Sequence, residues 1–282
     1  MAPTDTPNAL SSHRGMRTQP ARAIRNPDLD HDKPAPSPQE GMAANARLDL
    51  AVPAVATHDW ADVERGLNLD GNAVLKNLLG PAQCSTLIDG YDDDSRYRSR
   101  IVMGAHGFGR GEYKYFAYPL PDGLASLRTA LYRRLAPIAN RWNERMGLEE
   151  RYPACHEDYL AQCHAAGQVR PTPLILRYGA DDFNCLHQDL YGEMVFPLQV
   201  AILLSRPTVD FTGGDFVMTE TTSKQQRADV VPLAQGDAVV FTVNHRPSAG
   251  GRKNAKVAMR HGVSRVHTGS RHTVGLIFHD AK

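Results

Sequence analysis

The chain has 282 residues, 41% of them hydrophobic, which is enough for a substantial core in one large domain or two small ones. Lys and Arg total 32 against 31 Asp and Glu, and the resulting net charge of +1 offers no broad electrostatic footprint for duplex DNA or an anionic membrane, so nucleic acid is not expected as a partner. No stretch approaches the roughly 20 apolar residues of a spanning helix, and four cysteines, neither dense nor in C-x-x-C pairs, predict a reduced, cytoplasmic setting.

Residues 1–45 are rich in Pro, Ala, Ser, Asn and Asp without apolar periodicity, and are predicted to be a disordered tail. Residues 46–282 are predicted to form a single domain, with helical and strand support over 46–171 and the core over 172–282. Order is expected from about Asp59-Trp60. Asn72 to Leu79 reads as a strand, and Gly80-Pro81 opens a helix to about Tyr91, with the proline suited to a first-turn position. Leu124 to Met146 has helical spacing, with Leu124, Leu127, Leu131, Leu135, Ile138 and Trp142 in one stripe; Pro137 should kink or divide it. A further helix is expected over Glu157 to Ala166. Its Cys155-His156 and Cys163-His164 pairs invite a zinc reading, but their spacing is longer than structural zinc uses, and a half-buried helix is the simpler account.

Between the first helix and the long one, Gly104 to Phe116 is glycine-rich and then aromatic. It lacks the G-x-x-x-x-G-K-[ST] pattern of a phosphate loop and reads as a mobile loop leading into a strand. From 172 to 280 the chain carries short β-branched runs, such as Pro173 to Tyr178 and Phe196 to Leu204, separated by turns at Asp181-Asp182, Gly192 and Gly213-Gly214. That is the pattern of an all-β barrel or sandwich.

Chemistry concentrates in this region. In His187-Gln188-Asp189 the first and third side chains share one face of a strand. With His261 downstream they make up two imidazoles and one carboxylate, a set that holds Fe(II) while leaving positions open for a co-substrate and O2. Cys185, two residues before His187, is expected to point the same way. Ten residues after His261 stands Arg271, whose guanidinium fork suits the distal carboxylate of a dicarboxylic keto acid.

At this point the chain resembles the 2-oxoglutarate- and Fe(II)-dependent dioxygenase superfamily, in particular its prolyl 4-hydroxylase-like branch. The matching pieces, in order, are Leu176-Arg177-Tyr178-Gly179, the H-x-D tripeptide, Phe211-Thr212-Gly213-Gly214-Asp215-Phe216, Gly236 to Phe241, and His261-Gly262-Val263 leading to Gly269-Ser270-Arg271. The resemblance implies a mainly β fold with flanking helices, a double-stranded β-helix or jelly roll with the metal at one open end. It also implies Fe(II), 2-oxoglutarate and O2 as cofactor and co-substrates, with release of succinate and CO2. His187, Asp189 and His261 would be the metal ligands, and Arg271 and Tyr178 would contact the keto acid. Among His245, His261, His267, His272 and His279, only His261 has an arginine ten residues on. By the same resemblance the 104–116 loop folds over substrate, so that Phe108, Arg110, Tyr113 and Tyr115 would contact it. The expected substrate is a protein side chain or a small amino-acid-like molecule. Two alternatives stay open: an oxidative demethylase of alkylated nucleic acid, and a barrel that binds metal and ligand without turnover. Oligomeric state is not legible.

Overall fold

The computed structural model describes residues 52–190, 192–222, 225–250 and 254–282. The expected tail, 1–45, lies outside them. Helices α1 (Val52–Thr57) and α2 (Trp60–Asp70) lead into β1 (Asn72–Leu75), α3 (Pro81–Asp89), β2 (Tyr97–Val102), β3 (Gly109–Arg110) and β4 (Glu112–Phe116). Helices α4 (Asp122–Met146) and α5 (His156–Ala165) follow. The remainder is all strand: β5 (Leu174–Tyr178), β6 (Phe183–His187), β7 (Leu198–Leu203), β8 (Phe211–Gly213), β9 (Phe216–Thr221) and β10 (Gln226–Val231), then β11 (Ala238–Thr242), β12 (His245–Pro247), β13 (Lys256–Val263), β14 (Val266–Gly269) and β15 (Arg271–Leu276).

These strands form a jelly roll. The larger, seven-stranded sheet runs β1-β11-β7-β15-β5-β4-β2; the smaller runs β10-β9-β13-β6-β3, with β12 beside β13, and β14 pairs with β8. The ladders are antiparallel throughout. Side chains from both sheets meet between them, with Ala201, Val239 and Phe241 of the larger sheet packing in one cluster with Phe216, Met218 and Met259 of the smaller.

The helices cover the outer face of the larger sheet. All six residues of the predicted stripe on α4 are at most 2% exposed and pack in one cluster with Leu198, Val200 and Ile202 of β7. β7 is therefore buried on both faces, which explains why it reads as a nearly continuous apolar run rather than an alternating one.

Three local departures from the sequence reading have simple causes. Of the kink or division expected at Pro137 the division does not occur, helix α4 running through it, because Pro137 and Arg133, whose carbonyl loses its partner, both sit on the exposed face where water can serve that oxygen. The strand from Asn72 stops at Leu75, since Asn77 turns into the left-handed region with φ 52°. Helix α2 was not foreseen, although Asp59 caps it by accepting from the Ala61 and Asp62 N–H groups.

The segment after β2 crosses from one sheet to the other. β2 and β4 pair at the edge of the larger sheet, while the intervening β3 pairs with β6 of the smaller. At Gly109, with φ 127°, a Cβ would fall 2.3 Å from the Phe183 carbonyl oxygen, so only glycine allows this approach. The segment thus bridges the two sheets beside the cavity.

Two buried histidines fasten the segment after β15, one to α5 and the other to the residues just before β7. His156, on α5, makes a 2.8 Å hydrogen bond between Nε2 and the Phe278 carbonyl and stacks on Tyr132. His279 accepts from the Phe196 N–H at Nδ1 (3.1 Å). Burial pushes both pKa values down to about 4. Unfolded histidines titrate near 6.5, so the stability these two contribute is fully present above that pH and is lost as pH falls toward 4. Between pH 7.5 and pH 5 the unfolding free energy is expected to drop by about 2 kcal/mol per histidine. Urea denaturation at the two pH values checks this, and a flat profile would refute it.

Candidate metal centre

Strands β6 and β13 bring the two histidines together. His187 is the last residue of β6, and its cross-strand partner on β13 is His261. The imidazole centroids lie 4.2 Å apart. Asp189, just past the strand end, sets its Oδ1 3.2 Å from His187 Nε2 and its Oδ2 3.4 Å from His261 Nε2. One ligand atom from each residue falls within 4.8 Å of the others, the one group of its kind among the described residues. Three ligands placed about 2.1 Å from one centre at right angles would be separated by about 3 Å, so the spacing fits a single cation.

A β-bulge shapes this arrangement. Between the pairs Asn184↔Val263 and His187↔His261, β6 advances three residues while β13 advances two. The extra residue reverses the alternation, so that Asn184 and His187 both line the cavity, and Cys185 does not. The expectation that Cys185 shares the face of His187 is thereby corrected. Its carbonyl has a different role: it accepts a 2.7 Å hydrogen bond at His187 Nδ1, which puts the proton there and leaves the Nε2 lone pair facing Asp189. Gln188 turns away, its amide donating to the Met259 and Asn244 carbonyls and so tying the tripeptide to β13 and to the turn between β11 and β12.

The electrostatics are those of a carboxylate shared by two rings. Burial works against the Asp189 charge, but the imidazoles of His187 and His261 outweigh it and hold the carboxyl well below its usual range. Burial likewise opposes a proton on His187, yet Asp189 raises its pKa. His261 moves down, through burial and the neighbouring His187. It packs against Phe241 (4.5 Å) and Phe216 (6.1 Å), and its Nδ1 is buried without a hydrogen-bond partner.

A cavity of about 820 Å³, counting its open mouth, extends from the triad between the sheets. At one end lies Arg271, 2% exposed, with Nη1 donating to Thr273 Oγ1 at 2.6 Å and Nε unpartnered. Burial lowers its pKa to about 10, outweighing the attraction of the Tyr178 ring and of Asp215. Its guanidinium carbon lies 5.7 Å from the ring of Tyr178, its register partner on β5. The Tyr178 hydroxyl, with the Asn184 amide alongside, makes no well-formed hydrogen bond. An unpaired buried cation beside an unsatisfied hydroxyl is a fitting receptacle for a carboxylate.

The remaining candidates divide. Phe108, Tyr113 and Tyr115 line the cavity; Arg110 is exposed, outside it, with Nε 3.7 Å from Asp182 Oδ1. Of the rejected histidines, His272 faces Tyr91 and His267 is exposed. The zinc reading has no support: Cys155 is exposed, and His164 reaches Asp280 instead. Asn184, Thr273 and Gln199 line the cavity as well and were not singled out from the sequence. The one available signal for Gln199 was a lone polar residue inside an apolar run.

Residues 111–281 match the Oxygenase-NA family, described as an oxygenase catalysing oxidative methylation of damaged DNA. The uncharacterised protein Rv2227 of Mycobacterium tuberculosis strain H37Rv is 45% identical over 189 residues, 67% of this chain and 78% of that protein. A prolyl 4-hydroxylase of Pseudomonas putida aligns with 79% of this chain and 100% of its own at 13% identity and TM-score 0.47. A Trichoplax adhaerens prolyl hydroxylase, solved with a peptide fragment of hypoxia inducible factor, aligns with 80% of this chain and 90% of its own at 15% identity and TM-score 0.48.

The bulge leaves no room opposite it. A Cβ on Gly262 would lie 2.7 Å from the Asn184 carbonyl oxygen and 3.2 Å from that of Cys185. Gly262→Ala is expected to lose about 1–3 kcal/mol of stability through overpacking, whereas Gly250→Ala, whose nearest neighbour would be 3.8 Å away, should lose little. Denaturant midpoints of the two variants decide the matter; equal values would refute the role given to the bulge.

Proposed function

Because the chain belongs to the Oxygenase-NA family, a family of 2-oxoglutarate- and Fe(II)-dependent oxygenases, we propose that His187, Asp189 and His261 hold the iron, that Arg271 and Tyr178 hold 2-oxoglutarate, and that the substrate is an alkylated nucleobase. The observation that supports the ligand assignment best is the convergence of three ligand atoms within 4.8 Å at the cavity.

When bound, iron with O2 and 2-oxoglutarate supplies the oxidation: one oxygen atom leaves in succinate, formed with CO2, and the other enters a substrate C–H bond. The residues do the rest. The Cys185 carbonyl and the bulge fix the His187 tautomer and direction. Arg271 and Tyr178 meet the distal carboxylate in a water-poor end of the cavity, where a charge-assisted pair is strongest. Phe108, Tyr113 and Tyr115 line the cavity, Tyr113 and Tyr115 meeting edge to face at 5.3 Å, and form an aromatic wall against which a flat ring can pack. Hydroxylation of a methyl group on a ring nitrogen would give an N–CH2OH group that breaks to the free base and formaldehyde.

The substrate rests on the family description and on that wall. Hydroxylation of a protein or amino-acid side chain is the second reading, favoured by the net charge of +1 and by the pairing of Arg100 and Arg177 with Glu112 and of Arg110 with Asp182, which leaves these cations little call on phosphates.

Purified protein given Fe(II) and 2-oxoglutarate anaerobically, then O2 and a base-methylated single-stranded oligonucleotide, is expected to form succinate and formaldehyde. His187→Ala and Asp189→Ala should abolish both products; full turnover in either variant would refute the ligand assignment. Arg271→Met should raise the dissociation constant for 2-oxoglutarate at least about 30-fold, the lower end for losing one partner of a buried charge pair. It should not lower the melting temperature, since it removes an unpaired buried cation. Unchanged 2-oxoglutarate affinity would reassign Arg271.

A further inference from the structure

Gln199 breaks the pattern of β7. Leu198, Val200 and Ile202 pack with the helices, while Gln199 and Ala201 line the cavity on the opposite face. In a strand otherwise apolar on both sides, Gln199 is 4% exposed and its amide Nε2 is buried without a hydrogen-bond partner. Buried amides are normally satisfied, so an unpartnered one on a residue that lines a cavity is a group that a ligand there can satisfy.

Its place in the sheet says which ligand. Gln199 pairs in register with Phe241 of β11, whose ring is 4.5 Å from that of His261. Along β7 it stands one position beyond the pair Val200↔Leu276, level with Ile277. Arg271 is six positions back along the neighbouring strand, about 20 Å at roughly 3.3 Å per residue. Gln199 therefore stands away from the Arg271 end of the cavity, on the side of the metal ligands. The aromatic wall of Phe108, Tyr113 and Tyr115 borders the same space.

We propose that Gln199 is a substrate-recognition residue whose carboxamide pairs with the donor–acceptor edge of a nucleobase packed against that wall. The proposal rests on the reading of the protein as an oxygenase of alkylated bases. A carboxamide presents a donor and an acceptor in one plane, the pattern with which Asn and Gln read a base edge. A base drawn into a pocket is read by edge hydrogen bonds together with stacking on aromatic side chains. A peptide amide could meet the same carboxamide, but it has no ring to pack against the wall, so the two features together favour the base.

The test is Gln199→Leu, which keeps the volume, removes the open amide, and should fold at least as well as the parent. Binding of a fluorescent single-stranded oligonucleotide with one ring-N-methylated adenine is measured on protein loaded anaerobically with Fe(II) and 2-oxoglutarate. Succinate release is then followed with the same oligonucleotide and with an asparagine-containing peptide. The expected result is a 10- to 100-fold weaker oligonucleotide affinity and a matching fall in kcat/KM, with the affinity for 2-oxoglutarate unchanged. Unchanged oligonucleotide binding and kcat/KM would overturn the role of Gln199. Weakened 2-oxoglutarate binding would overturn it in favour of a keto-acid contact, and a loss seen only with the peptide would overturn the base as its ligand. Wild-type protein that forms succinate from 2-oxoglutarate but neither binds nor oxidises the oligonucleotide overturns the nucleobase reading itself, whatever the variant does.

Discussion

The pairing of β6 with β13 is the constraint on which the candidate centre depends. Register alone sets His187 beside His261, and the one-residue bulge decides which side chains of β6 face inward. Without the extra residue, alternation would turn Cys185 into the cavity and Asn184 out of it. Gly262 permits the bulge because no side chain stands between its Cα and the carbonyls of Asn184 and Cys185. One of those carbonyls then orients His187. Backbone geometry and ligand geometry are thus a single feature of the molecule.

The rest of the fold makes that feature rigid. The larger sheet is packed on both faces, by α4 and its neighbours outside and by the smaller sheet inside. Strands buried in this way have little freedom to slip, because a one-residue shift would move every side chain to the wrong face. Arg128, buried on α4, donates to the Ile277 carbonyl and pairs with Asp280 at 3.0 Å. The helical layer is thereby fastened to the chain just beyond the strand that carries Arg271.

Inside, the cavity departs from the rule that buried polar groups are satisfied. Arg271 Nε, the Tyr178 hydroxyl, His261 Nδ1 and Gln199 Nε2 are all buried without hydrogen-bond partners. Each opposes folding, and because all four residues line one cavity a bound ligand can supply the partners they lack. The rigid, doubly covered sheet offsets that penalty.

The sequence by itself determined the class of chain and the chemical types available. The β-branched runs after 172, the stripe from Leu124 to Trp142 and the cap at Gly80-Pro81 are local patterns, and periodicity reports them directly. His187-Gln188-Asp189 was visible because its spacing is short, and His261 because an arginine follows it at a fixed interval. What only the tertiary structure decided was direction and company. A bulge leaves no local signature, so the exchange of Cys185 for Asn184 could not be read from alternation. Arg110 and Tyr113 sit three residues apart in one loop-and-strand segment, yet one is exposed and the other lines the cavity, because β3 and β4 belong to different sheets. Gln199 gained its meaning only when both faces of β7 were covered, since a polar residue in an apolar run is unremarkable until its amide is known to lack a partner.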